Sequence, residues 1–267
     1  MKYPVLAIET TGLLASVALR SDEAGNIYSE GLTEKLNHLK GLLPLTDKVL
    51  VRAGLNINDI KTIAVSHGPG SFTGIRIGIS TVRAIAQMTG AKVIGVPTLE
   101  AFIYNLPDLG GIVCPVFDAR MNQLYGGAFV LENNRAQYRD AEDMINTLIK
   151  TDSYSGADFC GRLTGVAENL ANRQTQDATL TEKPEFRFFG DGLDVFRDDI
   201  NNWGESLTKK IRGFSFTFEE NNNLQLATSV LKWAENFGHE KGYEELFPVY
   251  VRKAEAQRKL DEKNAGR

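Results

Sequence analysis

An α/β protein of two lobes, each with the element order βββαβαβ, is what the sequence predicts, and three observations predict it. Short apolar runs of strand length alternate with stretches in which apolar residues recur at helical spacing. That order is read twice, once in residues 1–106 and again in 107–221. The chain has 267 residues, a length at which one hydrophobic core stops growing and chains divide into lobes.

The first lobe opens with an apolar run, Pro4 to Glu9, that ends on a carboxylate. Gly12 separates it from a second run, Leu14 to Leu19, as in a hairpin. Asn26 to Glu30 is the third strand. Leu36, Leu39, Leu42, Leu43, Thr46, Val49 and Leu50 then recur at helical spacing, and Gly54 closes the helix. Thr62 to Ser66 is a buried strand, Gly68 to Gly74 a glycine-rich loop, and Ile75 to Met88 a helix ended by Gly90. Ala91 to Val96 is a strand, followed by a short helix from Thr98 to about Tyr104.

In the second lobe Ile112 to Phe117 is a strand ending at Asp118, Gln123 to Leu131 the next, and Ala136 to Arg139 a third. Ala141 to Lys150 reads as helix, Ala157 to Gly161 as a short strand, and Val166 to Arg173 as helix. Phe186 to Phe189 is a strand leading through Gly190-Asp191-Gly192 into a helix from Leu193 to Asn202. Such a repeat is the pattern of the actin-like (ASKHA) fold, in which two ribonuclease-H-like lobes face each other across a cleft. A last helix, Leu224 to Phe237, is predicted to start from an Asn221-Asn222-Asn223 cap and to join the first lobe with residues 222–252; Leu246 to Val251 runs behind it. Residues 253–267 carry mixed charges without apolar anchors and read as a mobile tail.

Composition narrows the function. Hydrophobic residues make up 42% and charged residues 24%, an ordinary globular mix. Thirty basic and 34 acidic residues give a formal net charge of −4, so any contact with nucleic acid is expected to need a partner. Cys114 and Cys160 sit in apolar settings without CxxC spacing, which excludes a zinc knuckle or redox pair and reads as two buried thiols. No apolar stretch approaches the roughly 18 residues of a membrane span, and the N-terminus runs straight into a strand pattern. The expectation is a cytoplasmic protein without membrane contact.

The most specific stretch is Ser66-His67-Gly68-Pro69-Gly70-Ser71-Phe72-Thr73-Gly74-Ile75-Arg76-Ile77-Gly78. A strand feeds a Gly-Pro-Gly turn and the turn a helix, whose free N–H groups make an anion site. The alternative is a tight turn that lets the helix pack close to the sheet. Glu9 and Asp118 end the first strand of each half, and with Thr10, Thr11, Gly68, Gly70, Gly190 and Asp191 they are candidates for the lining of a nucleotide-binding cleft. Their alternative is turn chemistry, carboxylates holding loop N–H groups. Only the first hairpin, Glu9 to Gly12, suits a phosphate; the second carries Ala119-Arg120-Met121 and no glycine. No Gly-x-Ser-x-Gly elbow or His–Asp pair activates Ser71, so no catalytic residue is assigned.

This string, with Ile8-Glu9-Thr10-Thr11 and Ser16-Val17-Ala18-Leu19 before it, resembles the TsaB (YeaZ) family. Pro97-Thr98-Leu99-Glu100-Ala101, Asp118-Ala119-Arg120, Gly190-Asp191-Gly192 and Tyr250-Val251-Arg252-Lys253-Ala254-Glu255 extend the resemblance over nearly the whole chain. It implies an actin-like fold and a non-catalytic role in making N6-threonylcarbamoyladenosine in tRNA, beside a catalytic TsaD-like paralogue and a TsaE-like ATPase. Catalytic members hold a metal with two histidines spaced H-x-x-x-H on the first helix. Here His38 is followed four positions on by Leu42, so no metal site is expected.

The first two predicted helices carry apolar residues around more than one face, with small residues at Gly74, Gly78, Ser80, Thr81 and Ala84. Coverage within the lobe is one reading. The resemblance implies the other, pairing with the equivalent helices of the TsaD-like partner, or with a second copy in a homodimer when the chain is alone. The contact residues expected are His38, Leu39, Leu42, Leu43, Arg76, Ser80, Arg83 and Ala84. An actin-like ATPase or phosphotransferase acting in the cleft is the competing reading, with ATP or ADP left open at the cleft or at the complex interface. A metallopeptidase, a label the wider family has carried, is a third, and the missing His pair argues against it.

Overall fold

The computed structural model describes residues 1–32, 38–106, 108, 110–131, 145–176, 185–220 and 223–252. The apolar runs of the first half pair into one sheet. Strands β1 (Val5–Glu9), β2 (Ser16–Arg20) and β3 (Ile27–Gly31) are antiparallel, while β4 (Thr62–Gly68) and β5 (Lys92–Pro97) lie parallel to β1, in the order β3-β2-β1-β4-β5. The second half repeats this arrangement. Strands β6 (Ile112–Asp118), β7 (Leu124–Leu131) and β8 (Ile145–Tyr154) are antiparallel, and β9 (Glu185–Phe189) and β10 (Ser215–Phe218) run parallel to β6, in the order β10-β9-β6-β7-β8. Among the described elements both halves follow βββαβαβ, the actin-like arrangement.

Helices cover the sheets because their apolar stripes require it. Helix α1 (His38–Ala53) ends at Gly54, whose φ of +68° suits a residue without Cβ. Helix α2 (Phe72–Thr89) starts at Ser71, whose Oγ accepts from Gly74 N at 3.2 Å. Both pack on the outer face of the first sheet, burying Leu42, Val49, Ile75 and Val82 against Leu6, Ile8 and Val17. Helix α4 (Gly156–Gln176) and helix α5 (Leu193–Lys210) do the same for the second sheet, with Phe159, Leu163, Phe196 and Trp203 inward. Between the sheets, the short helix α3 (Thr98–Phe102) and helix α6 (Ala227–Phe237) share a core with β1, β5 and β6, in which Phe102 meets Phe117 edge-on at 4.7 Å.

In the second lobe the structure corrects the sequence reading at three places. The predicted helix 141–150 is strand β8 from Ile145 on; residues 141–144, like the predicted strand Ala136–Arg139, lie outside the described residues. Two register shifts in the β7–β8 ladder, between Gly126 and Ala128 and between Ala128 and Phe129, break the alternation. Ile145 therefore enters the inner core and Ile149 the outer one, four residues apart, which imitates a helical stripe. The predicted strand 157–161 is the first turn of α4, opened by Ser155, whose Oγ accepts from Asp158 N at 3.1 Å. Strand β10 was not predicted, although Phe214, Phe216 and Phe218 alternate as a strand requires.

The cap expected for the last helix is also corrected. Asn221 and Asn222 lie outside the described residues, and Asn223 turns away to accept from Gly190 N at 2.8 Å. Helix α6 starts later, at Ala227, and its first N–H is bound by Ser16 Oγ of β2 at 2.8 Å, a cap distant in sequence. Leu246 to Val251 forms no strand. Leu246 is fully buried in the outer core of the first lobe and the chain then crosses toward the second. The predicted tail 253–267 is outside the described residues.

Candidate functional site

A cavity of about 720 Å³ opens between the sheets. Its first-lobe wall is the β1–β2 turn, Thr11 to Leu13, with Gly70, Ser71 and Phe72 at the start of α2. Its second-lobe wall is the β6–β7 turn, Asp118 to Met121, with Asp191 and Asp194 at the start of α5. Phe117, Tyr125, Val195, Gln225 and Arg252 complete the lining.

Of the residues expected at a nucleotide-binding cleft, Thr11, Gly70, Asp118 and Asp191 line this cavity. Glu9, Thr10, Gly68 and Gly190 are not part of the wall, and each has a task behind it. Glu9 is fully buried; its carboxylate accepts from Thr11 N, from Thr11 Oγ1 at 2.6 Å and from Ser66 Oγ. Burial pushes its pKa up, against the pull of those donors. Thr10 Oγ1 donates to Gly74 O at 2.8 Å, and a Cβ on Gly74 would stand 1.9 Å from Thr10 O. The glycine-rich loop thus makes a tight strand-to-helix turn, bringing α2 down onto the hairpin. Gly74 and Gly78, read from sequence as room for a partner helix, are both buried against Thr10. Gly68, at φ +124°, leaves space for Val249 O, and Gly190, at φ +116°, for Val116 O.

The second turn is built differently. Asp118 holds its own loop, Oδ1 accepting from Arg120 N at 2.7 Å and Oδ2 pairing with Arg120 Nη1 at 3.1 Å. Asp191 Oδ1 accepts from Asp118 N at 3.1 Å. Burial raises the Asp191 pKa to about 6, and the Asp118 charge adds to the rise. Arg120, Met121 and Asn122 are all left-handed, at φ +64°, +55° and +58°. His67 is displaced from the cavity to the back of β4 beside Gly95, where burial lowers its pKa to about 4 and keeps the ring neutral.

On the outer face of the first lobe, α1 and α2 lie side by side. Leu42, expected at a partner contact, is 1% exposed and belongs to the core; its neighbour Leu43 is 56% exposed. Arg76, Ser80 and Ala84 form an exposed stripe on α2, with Arg83 half-buried beside it. His38 and Leu39 lie in the first turn of α1, but their side chains are outside the described set. Among the described residues no three His, Cys, Asp or Glu side chains come together as a metal site, and no helix is long and apolar enough to cross a membrane.

Sequence reasoning missed Tyr125, Gln225 and Arg252. Tyr125 is set by strand alternation on β7. Arg252 stands in the quoted Tyr250-Val251-Arg252 stretch, to which the sequence assigns no place in the cleft. Gln225 is 5% exposed with its amide against Gly12, and carries no local sequence signal.

The family model described as TsaD, tRNA N6-adenosine threonylcarbamoyltransferase, matches residues 33–260. The tRNA threonylcarbamoyladenosine biosynthesis protein TsaB of Bacillus subtilis is 31% identical over 130 residues, 48% of this chain and 56% of that protein. Its Escherichia coli counterpart is 33% identical over 132 residues, 49% of this chain and 56% of that protein. The chain thus spans about half the length of the curated relatives it matches. The solved YeaZ of Pseudomonas aeruginosa superposes with a TM-score of 0.62 at 21% identity, over 93% of this chain and 100% of that one, a likeness of fold.

Proposed function

The chain belongs to the family that the threonylcarbamoyltransferase model describes, with TsaB/YeaZ relatives, and on that premise we propose that it is a non-catalytic accessory subunit of tRNA threonylcarbamoyladenosine biosynthesis. It binds a TsaD-like catalytic paralogue through α1 and α2, works with a TsaE-like ATPase, and meets tRNA only within that complex. Alone, it pairs with a second copy. We further take residues 1–106 with 222–252 as the lobe that carries the interface, and 107–221 as the other lobe. The chain acts in the cytoplasm.

The observation that carries this reading is the uncovered face of α1 and α2. Leu43 and Val51 are 56% and 78% exposed on α1, and Met88 is 65% exposed on α2 beside the small residues Ser80 and Ala84. Large apolar side chains left exposed on two adjoining helices suit a surface that a partner covers. Arg76 and Arg83 border this face, and among the described residues neither makes an ion pair. The test is co-elution with the TsaD-like protein. The pair Leu43→Asp with Arg83→Glu should abolish it and leave the thermal melt unchanged; undiminished co-elution would refute the interface.

A second reading, an actin-like ATPase or phosphotransferase with ATP or ADP in the cleft or at the complex interface, draws on the cavity and on Asp118 and Asp191 in its wall. Against it, Glu9 spends its oxygens on Thr11 and on Ser66 of β4, and Asp118 spends its own on Arg120 of its turn. Nucleotide hydrolysis by the purified chain, lost in Asp191→Asn, would favour it.

A further inference from the structure

We propose that residues 246–252 form a clasp that joins the two lobes across the cavity, with Arg252 as its latch, and so sets how far the cleft opens. The segment is anchored first in the first lobe. Leu246 is fully buried among the residues under α1 and α2. Val249 N donates to His67 O at 2.8 Å, and Gly68 is the residue that lets Val249 O approach, since a Cβ there would stand 2.2 Å away. Tyr250 then stacks on Phe72, ring centroids 4.4 Å apart and planes 25° from parallel. Arg76 closes the other side, Nε donating to Tyr250 Oη at 3.0 Å and the guanidinium lying 4.1 Å from the Phe72 ring centre.

Two residues later the chain reaches the second lobe. Arg252 Nη1 donates to Ala119 O at 2.5 Å and to Arg120 O at 3.2 Å, and Nη2 lies 3.2 Å from Met121 Sδ. These are the carbonyls of the β6–β7 turn, the turn with three consecutive left-handed residues that are not glycine. A left-handed residue is strained when it carries a Cβ. A guanidinium on two of the turn's carbonyls offsets part of that, because hydrogen bonds to a charged donor are the strong ones. Arg252 also lines the cavity, so the latch and the space it governs are contiguous. The lobes are joined elsewhere by the shared inner core of α3, α6 and Phe117, which can serve as the hinge. The clasp is a separate link, made of one stacked ring and one cation, and a ligand or partner that engages Arg252 would release it.

The experiment uses the full chain with spin labels at Glu23→Cys and Glu168→Cys, one exposed site on each lobe. The native cysteines are buried at 0% and 9% exposure and label poorly. Arg252→Ala should move the interlobe distance distribution to longer values and broaden it. It should also speed amide exchange in residues 119–124 about tenfold, as loss of about 1.4 kcal/mol requires. Arg252→Lys, which keeps the charge but not the fork, should fall between the two and serves if the alanine variant does not fold. Unchanged distance and exchange in either variant overturns the proposal. Faster exchange at an unchanged distance makes Arg252 a brace of its turn alone, and overturns the clasp as well.

Discussion

The two hairpin turns that face each other across the cavity occupy the same place in a duplicated fold and are held by opposite means. The β1–β2 turn is braced from beneath. Glu9 is buried and gathers three donors, and α2 is pressed onto Thr10 through Gly74. The β6–β7 turn is half outside. Its carboxylate, Asp118, is bound to the turn's own Arg120, and its strained carbonyls are held by Arg252 from a segment anchored in the other lobe. The difference teaches that duplication copied the strand order but not the stabilisation. The first turn is a fixed wall, and the second depends on a contact that can be undone.

The largest effect that could break this comparison lies in the first turn. Gly74→Ala puts a methyl against a backbone oxygen, and its expected loss is about 3 kcal/mol by overpacking. Glu9→Ala should lose about as much, ~3 kcal/mol, since it strands three buried donors. Thermal melts measure both, with about 2–4 °C lost per kcal/mol at this chain length. A shift under a degree would remove the claim that this turn is fixed from beneath.

A smaller effect comes from Asp191 beneath the second turn. Its folded carboxyl titrates at about 6 against an ordinary 3.8. A carboxyl that holds its proton more tightly when folded contributes stability below its ordinary value. That contribution is lost as the pH rises through about 6. Melts across that window should show the decline, and Asp191→Asn should flatten it. An equal decline in the variant would assign it to another group. The smallest effect is Met121→Gly, which relieves one left-handed residue and should gain about 0.5–1 kcal/mol in a denaturant melt. The same change would be a loss if the turn were unstrained.

What the sequence disclosed follows the same division. The first lobe was legible to within a few residues because its strands alternate or run apolar, the register shift between Ser66 and Gly68 falls only at the end of β4, and its helices end at Gly54 and Gly90. In the second lobe the element order was right while its placement was not. The bulges opposite Ile149 removed the two-residue period, and a helix beginning at Gly156 put Phe159 and Cys160 side by side like a buried strand. The cleft was legible where a turn carries its own carboxylate, as at Asp118 and Asp191. It was not legible where the lining arrives from far along the chain, as with Gln225 and Arg252, or where a carboxylate points inward, as with Glu9. Leu42 and Leu43 were indistinguishable in sequence, since the difference between them is the direction of one turn of helix.

The most direct test of the account is reconstitution of the tRNA modification from tRNA, ATP, threonine, bicarbonate and the other proteins of the pathway, with and without this chain. The account predicts that threonylcarbamoyladenosine forms only when the chain is present, and that the Leu43→Asp, Arg83→Glu variant fails to restore it while Asp191→Asn succeeds. Full modification without the chain, or rescue lost in Asp191→Asn and kept in the interface variant, would contradict it and move the function into the cleft.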